Sequence, residues 1–235
     1  MTELGGITLL ERQIKTLLDC GISDIILVTG YLNKHLNFSK TRQIYNSDWQ
    51  TTNMVESLFC AEKEFGNDII ISYGDIVYER KVLKSLINAQ NEISVAVNTD
   101  WHALWEARFE EPLSDAETLK FGTEDNIIEI GNRPNSIEQI DGQYMGLMRF
   151  KGRGIEGLKI AHKQILSGER PWNKFRPAKQ AYMTDLLTEL IDSGYALKGI
   201  KNHGGWLEID TVQDFEVINL MFKNGSIKKF FNSSL

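Results

Sequence analysis

Two hydrophobic spacings alternate along the first half of the chain. Leu10, Ile14 and Leu17 recur at helical spacing, and Gly21 follows them as a stop signal. The continuous apolar run at 24–29 predicts a strand buried on both faces, because a half-exposed strand would alternate. The order then repeats, with helices predicted at 55–59 and 82–87 and strands at 68–72 and 93–97. Strands that alternate with helices predict an α/β fold with a mostly parallel sheet.

The second half of the chain has a different pattern. Apolar runs at 126–130 and 144–150 flank a turn-rich stretch, and we expect them to form an antiparallel extension of the sheet. Further predicted elements are a helix at 155–166, a helix capped by Thr184 and stopped by Gly194, a strand at 195–200, and a final helix opened by a capping box at Thr211 and Asp214. We expect residues 1–235 to form a single domain.

Composition narrows the class of protein. The formal net charge of -6 argues against non-specific nucleic-acid binding, which requires a basic face. No stretch approaches the ~20 apolar residues of a membrane helix, and the beginning of the sequence has no basic, apolar leader. Cys20 and Cys60 have no metal-ligand spacing and suit a reducing compartment. We therefore expect a cytoplasmic protein without nucleic-acid or membrane partners.

Polar residues follow several of the predicted strands. Gly30 ends the first strand, Gly74 and Asp75 follow the second, and Asp210 follows an apolar run later in the chain. Ligands of open parallel sheets bind beyond the carboxyl ends of the strands. Two carboxylates at one edge would suit Mg²⁺, which binds carboxylates together with phosphate oxygens. In the alternative interpretation, Asp75 is a turn residue and Asp210 a residue favoured at a helix N-terminus.

Two further groups of residues are candidates for ligand binding. Thr52 and Asn53 precede a predicted helix, where an amide could read a pyrimidine edge or could simply cap the helix. Trp101 and Trp105 follow a strand at a spacing of four. They could enclose a quaternary ammonium group through cation–π attraction, or they could pack in the core.

Eight segments of the sequence match a known family in order: 3–13, 28–31, 52–58, 73–75, 105–109, 142–147, 182–185 and 205–214. Together they resemble the phosphocholine cytidylyltransferase-like branch of the sugar-phosphate nucleotidyltransferases, within the MobA-like NTP transferases. The resemblance implies a Rossmann-like nucleotide-diphospho-sugar transferase fold. It also implies transfer of a nucleotidyl group, typically from CTP, to a phosphorylated small molecule such as phosphocholine, with release of pyrophosphate.

The resemblance also implies roles for individual residues. The Mg²⁺ ligands would be Asp75 and Asp210. The nucleotide-binding residues would be Gly30, Thr52, Asn53, Ser57 and Gly74. The acceptor pocket would contain Trp101, Trp105, Arg108, Tyr182 and Glu208.

One feature of the family has no counterpart in this sequence. Family members open with a buried strand, a glycine-rich G-x-G-x-R loop and a Pro-Lys pair that hold the triphosphate, whereas Glu3 already matches a later segment. We therefore expect a chain shortened at its N-terminus, with the first strand missing, an open slot in the sheet and little transferase activity.

Other interpretations of the function remain open. The acceptor could be a sugar phosphate or a phosphonate instead of phosphocholine. The chain could also be a non-catalytic module that binds a nucleotide or a protein partner. A glycosyltransferase is disfavoured, because Asp75 lacks the second aspartate of a D-x-D motif.

Overall fold

The structure is a computed structural model that describes residues 2–168 and 176–232. Within these ranges the helices are Leu9–Asp19 (α1), Met54–Cys60 (α2), Arg80–Asn88 (α3), Trp101–Arg108 (α4), Arg153–Ser167 (α5), Met183–Asp192 (α6) and Val212–Asn224 (α7). The strands are Glu3–Leu4 (β1), Ile7–Thr8 (β2), Ile25–Thr29 (β3), Thr41–Tyr45 (β4), Asp68–Ser72 (β5), Ile76–Tyr78 (β6), Ile93–Asn98 (β7), Leu119–Phe121 (β8), Ile127–Ile130 (β9), Gln143–Lys151 (β10), Lys198–Asn202 (β11) and Trp206–Glu208 (β12).

A four-stranded sheet in the order β11-β7-β10-β5 forms the centre of the fold. β11 and β7 are parallel, whereas β10 runs antiparallel to both of its neighbours. Of the two strands predicted for an antiparallel extension, β10 therefore lies inside the central sheet, whereas β9 pairs with β8 in a separate two-stranded sheet. The pairing of β10 with β7 shifts register between Tyr144 and Met148, where Gly146 has a φ of +66°. A Cβ at Gly146 would lie 2.8 Å from the Tyr73 ring, so this bulge needs glycine.

Helices cover both faces of this sheet and enclose two apolar cores. One core contains residues of α3, α4, β6, β12 and α7, and the other contains residues of β9, α5 and α6. All six residues of β7 are buried, with Ala96 in the first core and Val95 and Val97 in the second. This two-sided burial explains the continuous apolar run that predicted the strand.

The predicted helix boundaries hold with one exception. Thr211 accepts a hydrogen bond from the Asp214 amide, so the predicted capping box opens α7. α6 begins two residues earlier than predicted, with Tyr182 and not Thr184 at its N-cap. Among residues 2–168 and 176–232, no helix has both the length and the apolar character that crossing a membrane requires.

The β3–β4 pair stands apart from the central sheet. β3 pairs with β4 in parallel, β5 pairs with β10, and no ladder joins β3 to β5 among the residues that the structure describes. A cleft of about 1280 Å³ runs between β3 and β5, and every residue of these two strands lines it.

Candidate active site

Two short strands bring three carboxylates together. β6 follows Asp75 directly and pairs with β12, so that Glu208 lies opposite Ile76. The Ile209 amide donates to the Asp75 carbonyl at 3.0 Å, which extends this pairing past the end of β12. As a result, Asp75, Glu208 and Asp210 each offer an oxygen, and these oxygens lie within 4.8 Å of one another. We call these three residues the carboxylate cluster.

The cluster is electrostatically unfavourable without a cation. Burial and the neighbouring Asp210 raise the pKa of Glu208 well above its usual value. Burial and the charge of Asp75 raise the pKa of Asp210 to about 6, and burial also raises the pKa of Asp75. Asp75 Oδ1 is buried and has no hydrogen-bond partner within residues 2–168 and 176–232. Three crowded oxygen ligands, one of them unpartnered, fit a hard divalent cation such as Mg²⁺.

Arg108 lies directly beneath the carboxylate cluster. Its side chain is 0% exposed, and its Nε donates to Asp214 Oδ1 at 2.9 Å. Its Nη atoms lie 3.9 Å from Glu208 Oε2 and 3.7 Å from Asp210 Oδ2. The place of Arg108 in an acceptor pocket stays a prediction, and in this structure its guanidinium has no exposed surface. Instead, its charge offsets part of the repulsion among the acids.

The tryptophan pair is also buried in the structure. Trp101 is 4% exposed and Trp105 is 2% exposed, and the Trp105 ring stacks on Trp206 at 6.0 Å. The Trp105 ring also faces Arg108, whose Cζ lies 5.0 Å from the ring centroid. Trp101 and Trp105 therefore pack in the core of this structure, as the alternative interpretation expects, and their role in an acceptor pocket stays a prediction.

Tyr182, the remaining candidate for the acceptor pocket, lies at the start of α6. Its side chain is exposed, and the Arg176 guanidinium stacks on its ring with Cζ 3.6 Å from the centroid. The next residue, Met183, lines the cleft between β3 and β5. Tyr182 therefore lies beside the cleft but is not one of the residues that line it.

Most of the candidate nucleotide-binding residues lie along this same cleft. Asn46 is buried, and its amide donates to the hydroxyls of Thr52 and Ser57 at 3.0 Å each. Asn53 caps α2, where its side chain accepts from the Met54 amide at 2.8 Å. The nucleotide-binding candidates that line the cleft are Thr52, Asn53, Ser57 and Gly74, and the metal-ligand candidate Asp75 lines it as well.

Gly30 has a packing role in the structure. A Cβ at Gly30 would lie 2.7 Å from Trp49 Cβ, so the glycine lets Trp49 pack closely against the end of β3. Trp49 itself lines the cleft and lies 5.4 Å from the Tyr31 ring. Sequence reasoning did not select Trp49, because nothing in its local pattern separates a cleft residue from a turn residue.

The pH dependence of metal binding follows from the raised pKa values. A carboxyl group must lose its proton to ligate a cation, and Asp210 keeps its proton up to a pKa of about 6. We therefore expect the apparent affinity for Mn²⁺, used in place of Mg²⁺, to rise by at least about tenfold for each pH unit below about 6, because Asp75 and Glu208 have raised pKa values as well. Titration calorimetry between about pH 5 and 8 measures this profile. An affinity that does not change with pH would contradict the assignment of Asp210 as a ligand.

Comparison with known proteins shows the family to which the chain belongs. Residues 1–121 match the model of the MobA-like NTP transferase domain. The chain is 36% identical over 228 residues to the CTP:phosphoglutamine cytidylyltransferase of Campylobacter jejuni, covering 92% of this chain and 89% of that protein. It is 29% identical over 75 residues to a choline-phosphate cytidylyltransferase of Streptococcus pneumoniae, covering 30% of this chain and 33% of that protein.

A solved structure agrees with the fold. The inositol-1-phosphate CTP transferase from T. maritima superposes with a TM-score of 0.67 at 18% identity, covering 95% of this chain and 86% of that one. At this identity the likeness concerns the fold, which is that of the nucleotide-diphospho-sugar transferases. The family match and the sequence relatives carry the class of activity. The chain thus belongs to the MobA-like NTP transferase family and is a nucleotidyltransferase of the cytidylyltransferase-like kind.

Proposed function

We propose that this chain transfers a cytidylyl group from CTP to a phosphorylated small-molecule acceptor and releases pyrophosphate. The observation that carries the proposal is the carboxylate cluster at the cleft that also contains Thr52, Asn53 and Ser57. An oxygen of the acceptor phosphate attacks the α-phosphorus of CTP. The bond from that phosphorus to the bridging oxygen of the β-phosphate breaks, and pyrophosphate leaves with the electron pair.

The carboxylate cluster has a defined role in this reaction. Asp75, Glu208 and Asp210 would hold a divalent cation, and the cation would neutralise charge on the phosphate groups. Arg108 is held by its contact with Asp214, and its charge offsets part of the repulsion between Glu208 and Asp210. Among the described residues that line the cleft, the only Lys or Arg is Arg149, which pairs with Asp68 at 2.6 Å. With so little positive charge for a triphosphate, we expect slow turnover by residues 1–235 alone.

We propose a phosphorylated amino-acid amide, of the class of phosphoglutamine, as the acceptor. The similarity to the phosphoglutamine enzyme extends over 92% of this chain, whereas the similarity to the choline-phosphate enzyme of Streptococcus covers 30%. The burial of Trp101 and Trp105 favours this choice over phosphocholine, because cation–π attraction to a quaternary ammonium group needs an accessible ring face. Phosphocholine, sugar phosphates and phosphonates are the alternatives that the experiment below compares.

Ser57 is the residue best placed to distinguish the base. Its hydroxyl oxygen accepts from Asn46, and its own hydrogen has no acceptor among the described residues. It can therefore donate to a carbonyl or ring nitrogen of cytosine. We expect Ser57→Ala to weaken CTP binding about tenfold, the equivalent of one net hydrogen bond of about 1.4 kcal/mol.

Calorimetry with CTP and Mg²⁺ measures the effect of Ser57→Ala. Ser47→Ala, which removes an exposed hydroxyl from the nearby loop, is the matched control and should bind CTP like the wild type. Equal losses in the two variants, or no loss in Ser57→Ala, would show that Ser57 does not contact the base.

The proposed function is tested by product analysis with the protein in excess over CTP, so that slow transfer is detected. Mass spectrometry follows the formation of the phosphoanhydride between CMP and phosphoglutamine, phosphocholine, a sugar phosphate or a phosphonate. We expect product with phosphoglutamine and CTP, a much smaller amount with ATP, and none with Asp75→Asn. CTP binding without product from any acceptor would favour the non-catalytic alternative.

A further inference from the structure

Gln13 is a buried polar side chain of α1, and it is only 4% exposed. Its Nε2 donates to the carbonyl of Tyr73 at 3.0 Å and to the carbonyl of Ile76 at 2.7 Å. Its Oε1 accepts from the Ser72 hydroxyl at 3.0 Å. A buried amide is costly unless its donors and its acceptor are paired, and these contacts pair both.

The contacts of Gln13 bridge the turn that carries Asp75. Tyr73 follows the end of β5, and Ile76 is the first residue of β6. Gly74 and Asp75 lie between them. Because β5 belongs to the central sheet and β6 pairs with β12, the Gln13 amide links two separate sheets at this turn.

The turn itself has little packing. Gly74 and Asp75 both line the cleft, and a Cβ added at Gly74 would meet no heavy atom of the described residues within 4 Å, its chain neighbours aside. The Asp75 carbonyl accepts from the Ile209 amide at 3.0 Å. Hydrogen bonds, more than close packing, therefore set the shape of this turn, and Gln13 supplies two of them.

Asp75 needs this support because its neighbours repel it. One of its carboxylate oxygens lies within 4.8 Å of oxygens of Glu208 and Asp210. Like charges at such distances push one another apart, and a turn that is free to move would let Asp75 turn away into the cleft. A turn that is held in advance keeps the ligands at the spacing that a cation requires.

We propose that Gln13 positions Asp75 within the carboxylate cluster: its amide holds the Tyr73–Ile76 turn in the geometry with which the cluster binds a divalent cation. The inference rests on the proposed function, which gives the cluster this cation. Gln13 acts through the backbone on either side of Asp75 and is not itself a ligand.

Gln13→Met tests the proposal, because methionine keeps the length of the side chain but cannot donate to the two carbonyls. Electron paramagnetic resonance measures the affinity for Mn²⁺ without CTP, and we expect a loss of about tenfold or more. Hydrogen exchange by NMR, in EDTA, follows the Ile209 amide, whose acceptor is the Asp75 carbonyl. We expect this amide to exchange at least about tenfold faster, because the turn is loosened.

Gln143→Met is the matched control. Gln143 is also 4% exposed, and its amide donates to the Glu117 carbonyl at 2.6 Å and accepts from the Glu117 amide at 3.2 Å. The substitution thus breaks buried contacts of the same kind that do not involve residues 73–76. We expect it to lower the melting temperature by several degrees, as Gln13→Met does, but to change neither the Mn²⁺ affinity nor the exchange of Ile209.

Ser72→Ala is a milder variant that decides the question if Gln13→Met does not fold. It removes the hydroxyl that orients the Gln13 amide and leaves both carbonyl contacts in place. We expect the Mn²⁺ affinity to fall about threefold, the effect of one weak hydrogen bond. An unchanged affinity in this variant would overturn the proposal.

The other outcomes also overturn the proposal. Unchanged Mn²⁺ affinity in Gln13→Met would mean that the cluster needs no support from Gln13. Lost affinity with unchanged Ile209 exchange would mean that Gln13 does not act through the turn, and equal losses in Gln143→Met would mean that general stability is responsible. If the wild type binds no Mn²⁺, the proposed function fails as well, so the two failures are distinguishable.

Discussion

Asp210→Asn is expected to change metal affinity and stability in opposite directions. Loss of one carboxylate ligand should weaken Mn²⁺ binding about 100-fold, at the upper end of the effects found for residues that support metal sites. In EDTA at neutral pH, however, the variant should be more stable than the wild type. The reason is that the folded protein raises the pKa of Asp210 to about 6, so ionising this group costs free energy in the native state.

We expect the free energy of unfolding of Asp210→Asn to exceed that of the wild type by about 1–2 kcal/mol. Each unit of pKa difference corresponds to about 1.4 kcal/mol, and the partial exposure of Asp210 screens part of this energy. In the unfolded protein Asp210 releases its proton at about pH 4, and below that pH it is protonated in both the folded and the unfolded protein. The gain should therefore be complete above about pH 6 and should disappear as the pH falls to about 4.

Urea unfolding in EDTA and calorimetry with Mn²⁺ measure the two effects. Asp125→Asn is the matched control, because Asp125 is an exposed acid that pairs with Lys201, and its φ of +57° is tolerated by asparagine. The control should change neither quantity appreciably. A destabilised Asp210→Asn protein with unchanged Mn²⁺ affinity would mean that the carboxylate has a structural role and not a ligand role.

Arg108→Met is expected to cause the largest loss of stability. The substitution keeps an apolar chain of similar length but removes the charge that contacts Asp214 at 2.9 Å in a fully buried site. Removal of one partner of a buried pair leaves an uncompensated charge and costs about 3–5 kcal/mol. Glu208 and Asp210 also lose their nearest cation, so their mutual repulsion should increase.

The free energy of unfolding in urea at neutral pH measures this loss. Arg42→Met is the control, because Arg42 pairs with Asp24 and Glu64 while 52% of its side chain is exposed. Exposed pairs contribute at most about 1 kcal/mol. A similar cost for the two substitutions would contradict the view that Arg108 holds the buried acids in place.

Much of the fold was predictable because its longer strands and helices have clear apolar patterns in the sequence. The continuous apolar runs of β3, β5 and β7 predicted strands at the correct places, and the helical stripe of α1 predicted its helix. Short elements escaped this reasoning. β6 and β12 have three residues each, which is too short for a periodic pattern, yet their pairing places Asp75 beside Glu208.

The candidate site was predictable in part for a similar reason. Resemblance to the family selected Asp75, Asp210 and Glu208, and the structure brings these three together. It could not show that Trp105 and Arg108 are buried, since a spacing of four residues suits a core and a binding pocket equally. The partner of Arg108 lies 106 residues away in the sequence, so this contact becomes visible only in the folded protein.

The most direct test of the account is the binding of Mn²⁺ to residues 1–235 with and without CTP, followed by electron paramagnetic resonance. We predict that a single ion binds at the carboxylate cluster. It should bind more tightly when CTP is present, because phosphate oxygens of CTP fill its remaining coordination positions. Asp75→Asn should abolish both the site and the effect of CTP, and Asp125→Asn should preserve them. Unchanged Mn²⁺ binding in Asp75→Asn, or an affinity that CTP does not alter, would contradict the assignment of this cluster as the metal site of a cytidylyltransferase.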